Sequence, residues 1–173
     1  MHQPPEVVQG VASHAKLLSR LVHLGSSEEV RVRAEAMRAL VNVVRYGGPE
    51  SVPRVAQAGG ISAFATLLAE EHVLLRNEAA VGLVKCGGDA EQRCAMANAG
   101  VPLALVKQFD DPANPPELLC SLLALATVLA ADKGIAETAE GQRLVDKVEV
   151  LARDGNGKVQ AQACAAITIL KGN

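Results

Sequence analysis

The sequence predicts an all-α fold, a right-handed helical solenoid of about four units, and three observations lead to that prediction. Hydrophobic residues make up 49% of the 173 residues but aromatic residues only 2%. A core of Ala, Leu, Val and Ile favours closely packed helices over a β-sandwich, which is typically rich in aromatic and β-branched residues. A helical pattern also recurs at a period of 42 or 43 residues, and an Ala-Gly pair recurs between short helices.

The recurring helical pattern places two small residues before a larger aliphatic residue on one face. In the first such helix the set is Ala36, Ala39, Leu40 and Val43, at spacings that share one side of an α-helix. The small residues let a neighbouring helix approach closely. The pattern returns three times: Ala79, Gly82, Leu83, Cys86; Ser121, Ala124, Leu125, Val128; and Ala163, Ala166, Ile167, Leu170.

The Ala-Gly pairs predict sharp corners between two short helices. Ala58-Gly59-Gly60 recurs as Ala99-Gly100-Val101, and glycine tolerates the left-handed conformation that ends a helix. Pro102 follows where a first-turn proline sacrifices no hydrogen bond. Each unit therefore reads as a short helix, a corner, a second helix, a loop and a longer third helix; in the second unit these are about 50–58, 61–69 and 72–86.

Three helices per unit at this period resemble the armadillo-repeat family, whose consensus places a similar Ala-Gly corner here. We expect an N-terminal segment at 1–13 and an armadillo-type domain at 14–173, with units at about 14–48, 49–88, 89–134 and 135–173. The first unit is expected to lack its opening helix. Solenoids usually close their end repeats with a polar capping helix. Neither end of this sequence shows one, so both ends are expected to expose apolar flanks. Either the chain is part of a larger array, or another subunit or self-association covers these flanks.

In this architecture the third helices line a concave groove suited to a protein or peptide partner. The residues opposite the core sets are the predicted protein-binding residues, some charged and others apolar: Arg31, Glu35, Arg38, Asn42, Leu74, Glu78, Val81, Lys85, Leu123 and Thr127, followed by Ala165 and Ile169. The charged members could equally be a solvated face with helix-spaced ion pairs. Nuclear-import receptors of this fold use a ladder of Trp and Asn, but here the Trp positions carry Arg38, Val81, Leu123 and Ala165. Import-signal binding is therefore not expected.

Composition and motifs argue against several other functions. The formal charge of −2 and the lack of Trp disfavour nucleic-acid binding. The four histidines show no metal-binding spacing, and no nucleophile elbow, phosphate loop or dinucleotide fingerprint occurs. We therefore expect no catalytic residues, no metal and no cofactor. Four widely spaced cysteines are expected as free thiols in a cytoplasmic protein. The longest apolar run, 118–131, is too short to cross a bilayer, so no membrane insertion is expected.

Within the armadillo class, residues 58–84 resemble the C-terminal repeats of the small-GTPase GDP-dissociation stimulators (SmgGDS). The matching residues are Glu71-His72-Val73 and Asn77-Glu78-Ala79. The resemblance implies a non-enzymatic module that binds Rho- or Rap-type GTPases in its groove and promotes GDP release. Glu35 and Glu78 would then face basic or switch segments, with Asn42 and Asn77 as hydrogen-bonding groups. Asn77 lies one position off the groove face, so a helix-packing hydrogen bond is its alternative role.

Two alternative functions remain open at this stage. The chain could be a scaffold or assembly subunit of a larger complex, in which neighbouring subunits cover both flanks. It could also be a chaperone-like armadillo module, although no tetratricopeptide segment accompanies it. Aggregation in the absence of partners would favour the assembly subunit over the GTPase-binding module.

Overall fold

The computed structural model describes residues 5–171, and every helix in that range is an α-helix. Residues 1–4 and 172–173, which include the outer ends of the predicted N-terminal segment and of the last unit, lie outside the described residues. The described helices separate into two compact units, residues 1–86 and 87–173. The predicted all-α class is confirmed.

Within its described residues, the first compact unit contains six helices: α1 (Pro5–Ser13), α2 (Ala15–Leu24), α3 (Val30–Tyr46), α4 (Ser51–Gln57), α5 (Gly60–Leu68) and α6 (Val73–Cys86). The expectation that the first unit lacks its opening helix was wrong. Helix α1 occupies that place and packs against α3 and α4, burying Val8 and Ala12. Burial of these two side chains stabilises a helix whose Gly10 is a weak helix former.

Up to residue 171, where the description ends, the second compact unit also contains six helices: α7 (Ala90–Asn98), α8 (Val101–Phe109), α9 (Pro116–Ala130), α10 (Lys133–Ala136), α11 (Ala139–Asp154) and α12 (Gly157–Lys171). Helix α9 is central to it, because α7, α8, α10, α11 and α12 all contact it. The join before α9 is held by Asn114, whose Nδ2 donates to the Gln108 backbone oxygen at 2.6 Å and to Gln108 Oε1 at 3.2 Å.

The two predicted corners have the backbone conformation that the Ala-Gly pairs indicated. Gly59 has φ = 89° and Gly100 has φ = 77°, both in the left-handed region. An L side chain rarely adopts this conformation, so glycine is the residue that turns the chain most easily here. Each corner places the start of one helix immediately after the end of another, as the repeat pattern predicted.

The core is built from aliphatic residues, as the composition indicated. Phe64, Leu40, Leu83, Leu105 and Leu125 are all fully buried, and Phe64 is the largest of them. Its ring packs against Gly82 of α6, where an added Cβ would lie 2.7 Å from the ring. A glycine in the middle of α6 therefore makes room for the aromatic side chain of α5.

Candidate protein-binding surface

In the first compact unit the exposed sides of α3 and α6 form the surface that the sequence predicted. Arg31, Glu35, Arg38 and Lys85 are exposed, Leu74 is 60% exposed, and Asn42, Glu78 and Val81 are half-buried. We call this set of eight residues the α3–α6 stripe. Asn77, the neighbour of Glu78, is half-buried. Its role in binding stays a prediction.

The charged centre of the stripe is a cluster of three side chains from two helices. Arg38 Nη1 lies 3.2 Å from Glu35 Oε1 on the same helix, and Arg38 Nε lies 3.5 Å from Glu78 Oε1 on α6. Two carboxylates therefore pair with one guanidinium, which links three long side chains from two helices. The Glu78 side chain is 25% exposed and that of Glu35 is 71% exposed. Glu35 thus presents most of its carboxylate to solvent.

A cavity of about 350 Å³ adjoins this cluster at the α1 side of α3. Glu35, Arg38 and Asn42 supply its polar lining, and Val8, Val11, Ala39 and Val43 supply its apolar lining. The carboxylate and amide groups can accept hydrogen bonds from a partner, while the valines can contact an aliphatic side chain. The cavity suits one or two side chains of a protein partner.

In the second compact unit one predicted surface residue is wrong. Leu123 is fully buried, because α9 is enclosed by neighbouring helices and its buried side comprises Leu118, Leu122, Leu125, Ala126 and Leu129 as well. The surface positions predicted on α9 lie one residue too early in the sequence. Thr127 is half-buried, and its hydroxyl donates to the Leu123 backbone oxygen at 2.8 Å.

A spacing of 43 residues from α6 identifies the positions on α9 that sequence reasoning missed. These are Glu117, Ser121, Ala124 and Val128, of which Glu117 is exposed and the other three are half-buried. The step from Ala36 to Ala79 is 43 residues, and repeating it leads to the buried Leu122. On α12 the predicted Ala165 and Ile169 are both exposed.

Two observations on the described residues concern metal binding and cysteine reactivity. In this part of the chain no group of three or more His, Cys, Asp or Glu could hold a metal ion. Burial raises the pKa of the Cys86 thiol to about 12, so this cysteine stays protonated near neutral pH and is a poor nucleophile. Within the range 5–171 no helix combines the length and apolar character needed to cross a membrane.

Comparisons with known proteins agree with this fold. No protein-family model matches the chain. Over 162 residues it is 25% identical to Rap1 GTPase-GDP dissociation stimulator 1-B of Xenopus laevis, covering 91% of this chain and 27% of the relative. The chain thus spans about a quarter of the length of the curated relatives it matches.

Solved structures show the same architecture. An engineered protein superposes with a TM-score of 0.82 at 26% identity, over 98% of this chain and 68% of that one. A computationally designed armadillo repeat protein for modular peptide recognition superposes with a TM-score of 0.78 at 22% identity, over 95% and 73% of the two chains. The chain is therefore an all-α solenoid of the armadillo type, similar in sequence to GDP dissociation stimulators.

Proposed function

We propose that this chain is a non-enzymatic protein-binding module that binds a small GTPase of the Rho or Rap type through the α3–α6 stripe. The observation that carries the proposal is the cluster in which Glu35 and Glu78 share Arg38 across two helices. The similarity to a Rap1 GTPase-GDP dissociation stimulator supports the choice of partner. The free thiols are typical of a reducing compartment, so we expect the module to work in the cytoplasm.

The cluster can exchange its internal ion pair for pairs with a partner. An incoming lysine or arginine would pair with Glu35 or Glu78, and an acidic switch segment would pair with the released Arg38. Since exposed ion pairs contribute only about 0–1 kcal/mol, such an exchange has a small free-energy cost. Leu74 and Val81 lie on the same stripe and supply apolar contact area beside the charges.

Binding of this kind accelerates GDP release only if the stripe prefers the nucleotide-free GTPase. A partner that binds one state more tightly shifts the equilibrium by that difference in affinity and by nothing else. The proposed mechanism therefore needs no catalytic group on this chain. It needs contacts with GTPase segments whose conformation changes when GDP leaves.

The test is release of a fluorescent GDP analogue from purified Rho- and Rap-type GTPases with and without this protein. The informative variant is Glu78→Lys, which replaces an anion in the cluster with a cation beside Arg38. We expect acceleration and binding to fall by about tenfold or more, because like charges at an interface are strongly unfavourable. The matched control is Asp146→Lys on α11, which makes the same charge change at an exposed helical position of the second compact unit.

The alternative is a scaffold or assembly subunit, and exposed aliphatic residues favour it. Val7 and Ile169 are each 51% exposed. If the protein binds a GTPase without accelerating GDP release, the binding part of the proposal stands and the exchange activity is rejected. Absence of both from a folded sample would reject the GTPase and favour the scaffold.

A further inference from the structure

A second surface of the first compact unit lies on the side of α3 that faces away from α6. It consists of five half-buried aliphatic residues, Val11 of α1, Leu21 and Leu24 of α2, and Val32 and Ala39 of α3. We call it the leading face. Two cavities lie along it, one of about 360 Å³ beside Leu21, Leu24 and Val32, and the one of about 350 Å³ beside Val11 and Ala39.

The internal repeat shows what kind of element covers such a face. At a spacing of 43 residues, Leu21, Leu24 and Val32 correspond to Phe64, Leu67 and Leu75. These three equivalents are at most 1% exposed. Helix α3 packs along α6, the third helix of the repeat that holds these equivalents, and Arg38 of α3 pairs with Glu78 of α6. Leu75 is thus buried on α6, along which the third helix of the preceding repeat lies, whereas its equivalent Val32 on α3 is half-buried; Phe64 and Leu67 belong to α5, which packs on α6.

The dimensions of the leading face suit one helix. The two cavities follow α3 from Val32 to Val43, which at 1.5 Å per residue is about 16 Å of helix axis, or roughly three turns. A helix laid along it needs aliphatic side chains at i, i+3 or i+4, and i+7. Helix α3 itself carries such a side, with Met37 and Val41 buried next to Arg38.

A second copy of this chain is a poor candidate for the occupant. The helix that would have to cover the leading face is a third helix with a free side, and α12 is the third helix of the last repeat. At the α12 positions equivalent to Met37 and Val41 stand Cys164 and Thr168, both exposed. The Thr168 hydroxyl already donates to the Cys164 backbone oxygen at 3.0 Å. This side is smaller and more polar than the side of α3 that covers α6.

We propose that the leading face binds an amphipathic helix of a partner protein, with aliphatic residues spaced like those of α3. The helix would place aliphatic side chains in the two cavities, against Leu24 and Val32 at one end and Val11 and Ala39 at the other. Glu35 and Arg31 border the first cavity and would pair with charges flanking the apolar side of that helix. The leading face borders the α3–α6 stripe along α3, and Arg31, Glu35, Arg38 and Asn42 line its cavities as well, so a helix bound here would contact the charged residues of the stripe.

The probe is a helix-stabilised, fluorescent synthetic peptide with the sequence of residues 30–46, added to the full chain and followed by anisotropy. The test variant is Val32→Asp. Val32 is the third residue of α3, where an acidic residue favours the helix dipole, so the variant is expected to fold. The matched control is Leu103→Asp, which changes an exposed aliphatic residue at the third position of α8.

We expect saturable binding that Val32→Asp weakens about tenfold or more, since a charge placed in a desolvated apolar contact is strongly unfavourable. Leu103→Asp should leave the affinity unchanged, and a peptide carrying Val41→Asp should not bind. Binding that tolerates Val32→Asp would overturn the proposal, as would a folded protein that ignores the peptide. If the chain instead self-associates in sedimentation and Val32→Asp abolishes that association, a second copy is the occupant and the proposal is wrong.

Discussion

Each compact unit contains an arginine that holds the loop before its own helix, and the two arginines make the same contacts at different places in the repeat. Arg33 is the fourth residue of α3, and its Nη1 donates to the backbone oxygens of Ser27 at 2.8 Å and Glu28 at 3.1 Å. Arg93 is the fourth residue of α7, and its Nη1 donates to those of Gly87 at 2.9 Å and Gly88 at 3.1 Å. We call these two contact sets the arginine clamps.

Each arginine also pairs with an acidic residue that precedes the helix three elements later. Arg33 Nη2 lies 3.3 Å from Glu70 Oε2, ahead of α6, and Arg93 Nε lies 3.3 Å from Asp132 Oδ2, ahead of α10. The helix that carries the arginine is the third helix of its repeat in the case of α3 and the first helix of its repeat in the case of α7. The clamp therefore belongs to the geometry of a helix start with exposed loop carbonyls, and it can serve at more than one position of the repeat.

The arginines themselves should give the largest effect. Arg33→Ala and Arg93→Ala each remove two hydrogen bonds to loop carbonyls and one ion pair from a mostly buried guanidinium. Since hydrogen bonds to charged groups contribute about 1.5–3 kcal/mol, we expect each variant to lower the free energy of unfolding by about 2–3 kcal/mol. Urea unfolding monitored by circular dichroism measures this change.

Lysine at the same positions is the control for charge. An ammonium group cannot reach two carbonyls and a carboxylate with the planar fork of a guanidinium, so Arg33→Lys and Arg93→Lys should recover less than about half of the loss. Full recovery by lysine would mean that charge alone, without the fork, holds the loops. In that case electrostatic attraction alone would account for the contacts of both arginines.

The acidic partners should separate the two clamps. Asp132 Oδ2 pairs with Arg93 while Oδ1 accepts a hydrogen bond from the Gly134 backbone nitrogen at 3.1 Å, so this residue also caps α10. We expect Asp132→Ala to cost about 2 kcal/mol and Glu70→Ala, which loses only a partly exposed ion pair, about 0.5–1 kcal/mol. Asp132→Asn keeps the cap and removes the charge, so its cost should fall between these values. Equal costs for the two alanine variants would remove the distinction between the clamps.

The buried Cys86 should make the stability of the protein depend on pH. Burial raises the pKa of the Cys86 thiol from 9.0 to about 12, so the native state holds its proton where the unfolded chain releases it. The contribution of this thiol is therefore fully present below pH 9 and is lost as pH rises from 9 toward 12. By pH 10 linkage predicts a loss of about 1.4 kcal/mol. Unfolding free energies measured at pH 8 and pH 10 should show a smaller decline for Cys86→Ala than for the wild type.

The repeat and its corners were predictable from the sequence, because they depend on local spacing and on glycine. The register of α9 was not, since residues 118–130 are apolar on nearly every side and Leu123 fits the period as well as Leu122 does. The opening helix α1 was missed because Gly10 lowers its helix propensity, while burial of Val8 and Ala12 overrides that weakness. The ion pairs Arg33–Glu70 and Arg93–Asp132 join residues nearly 40 positions apart, so only the fold brings them together. The same holds for Arg38 and Glu78.

The packing of Phe64 on Gly82 distinguishes the second repeat from the first, where the equivalent residues are Leu21 and Ala39. Gly82→Ala brings a methyl group within 2.7 Å of the buried ring. Overpacking costs about 1–3 kcal/mol and the gain in helix propensity is roughly 1 kcal/mol, so we expect a net loss of about 1 kcal/mol in thermal or urea unfolding. Adding Gly82→Ala to Phe64→Leu should then stabilise the protein, because the ring is gone. A further loss in the double variant would show that the ring does not explain the glycine.

The smallest effect on stability should come from the arginine of the α3–α6 stripe. The Arg38 side chain is 49% exposed, against 14% for Arg33, although both pair with a carboxylate on a neighbouring element. Solvent screens the exposed pair, so Arg38→Ala should change the free energy of unfolding by less than about 0.5 kcal/mol. If GDP-release acceleration nevertheless falls with Arg38→Ala while Arg33→Lys retains it in the folded state, the two arginines have separate roles. Arg33 then maintains the fold, and Arg38 holds two carboxylates in the positions at which a partner can replace it. A loss of stability at Arg38 as large as that at Arg33 would instead make the stripe a structural element.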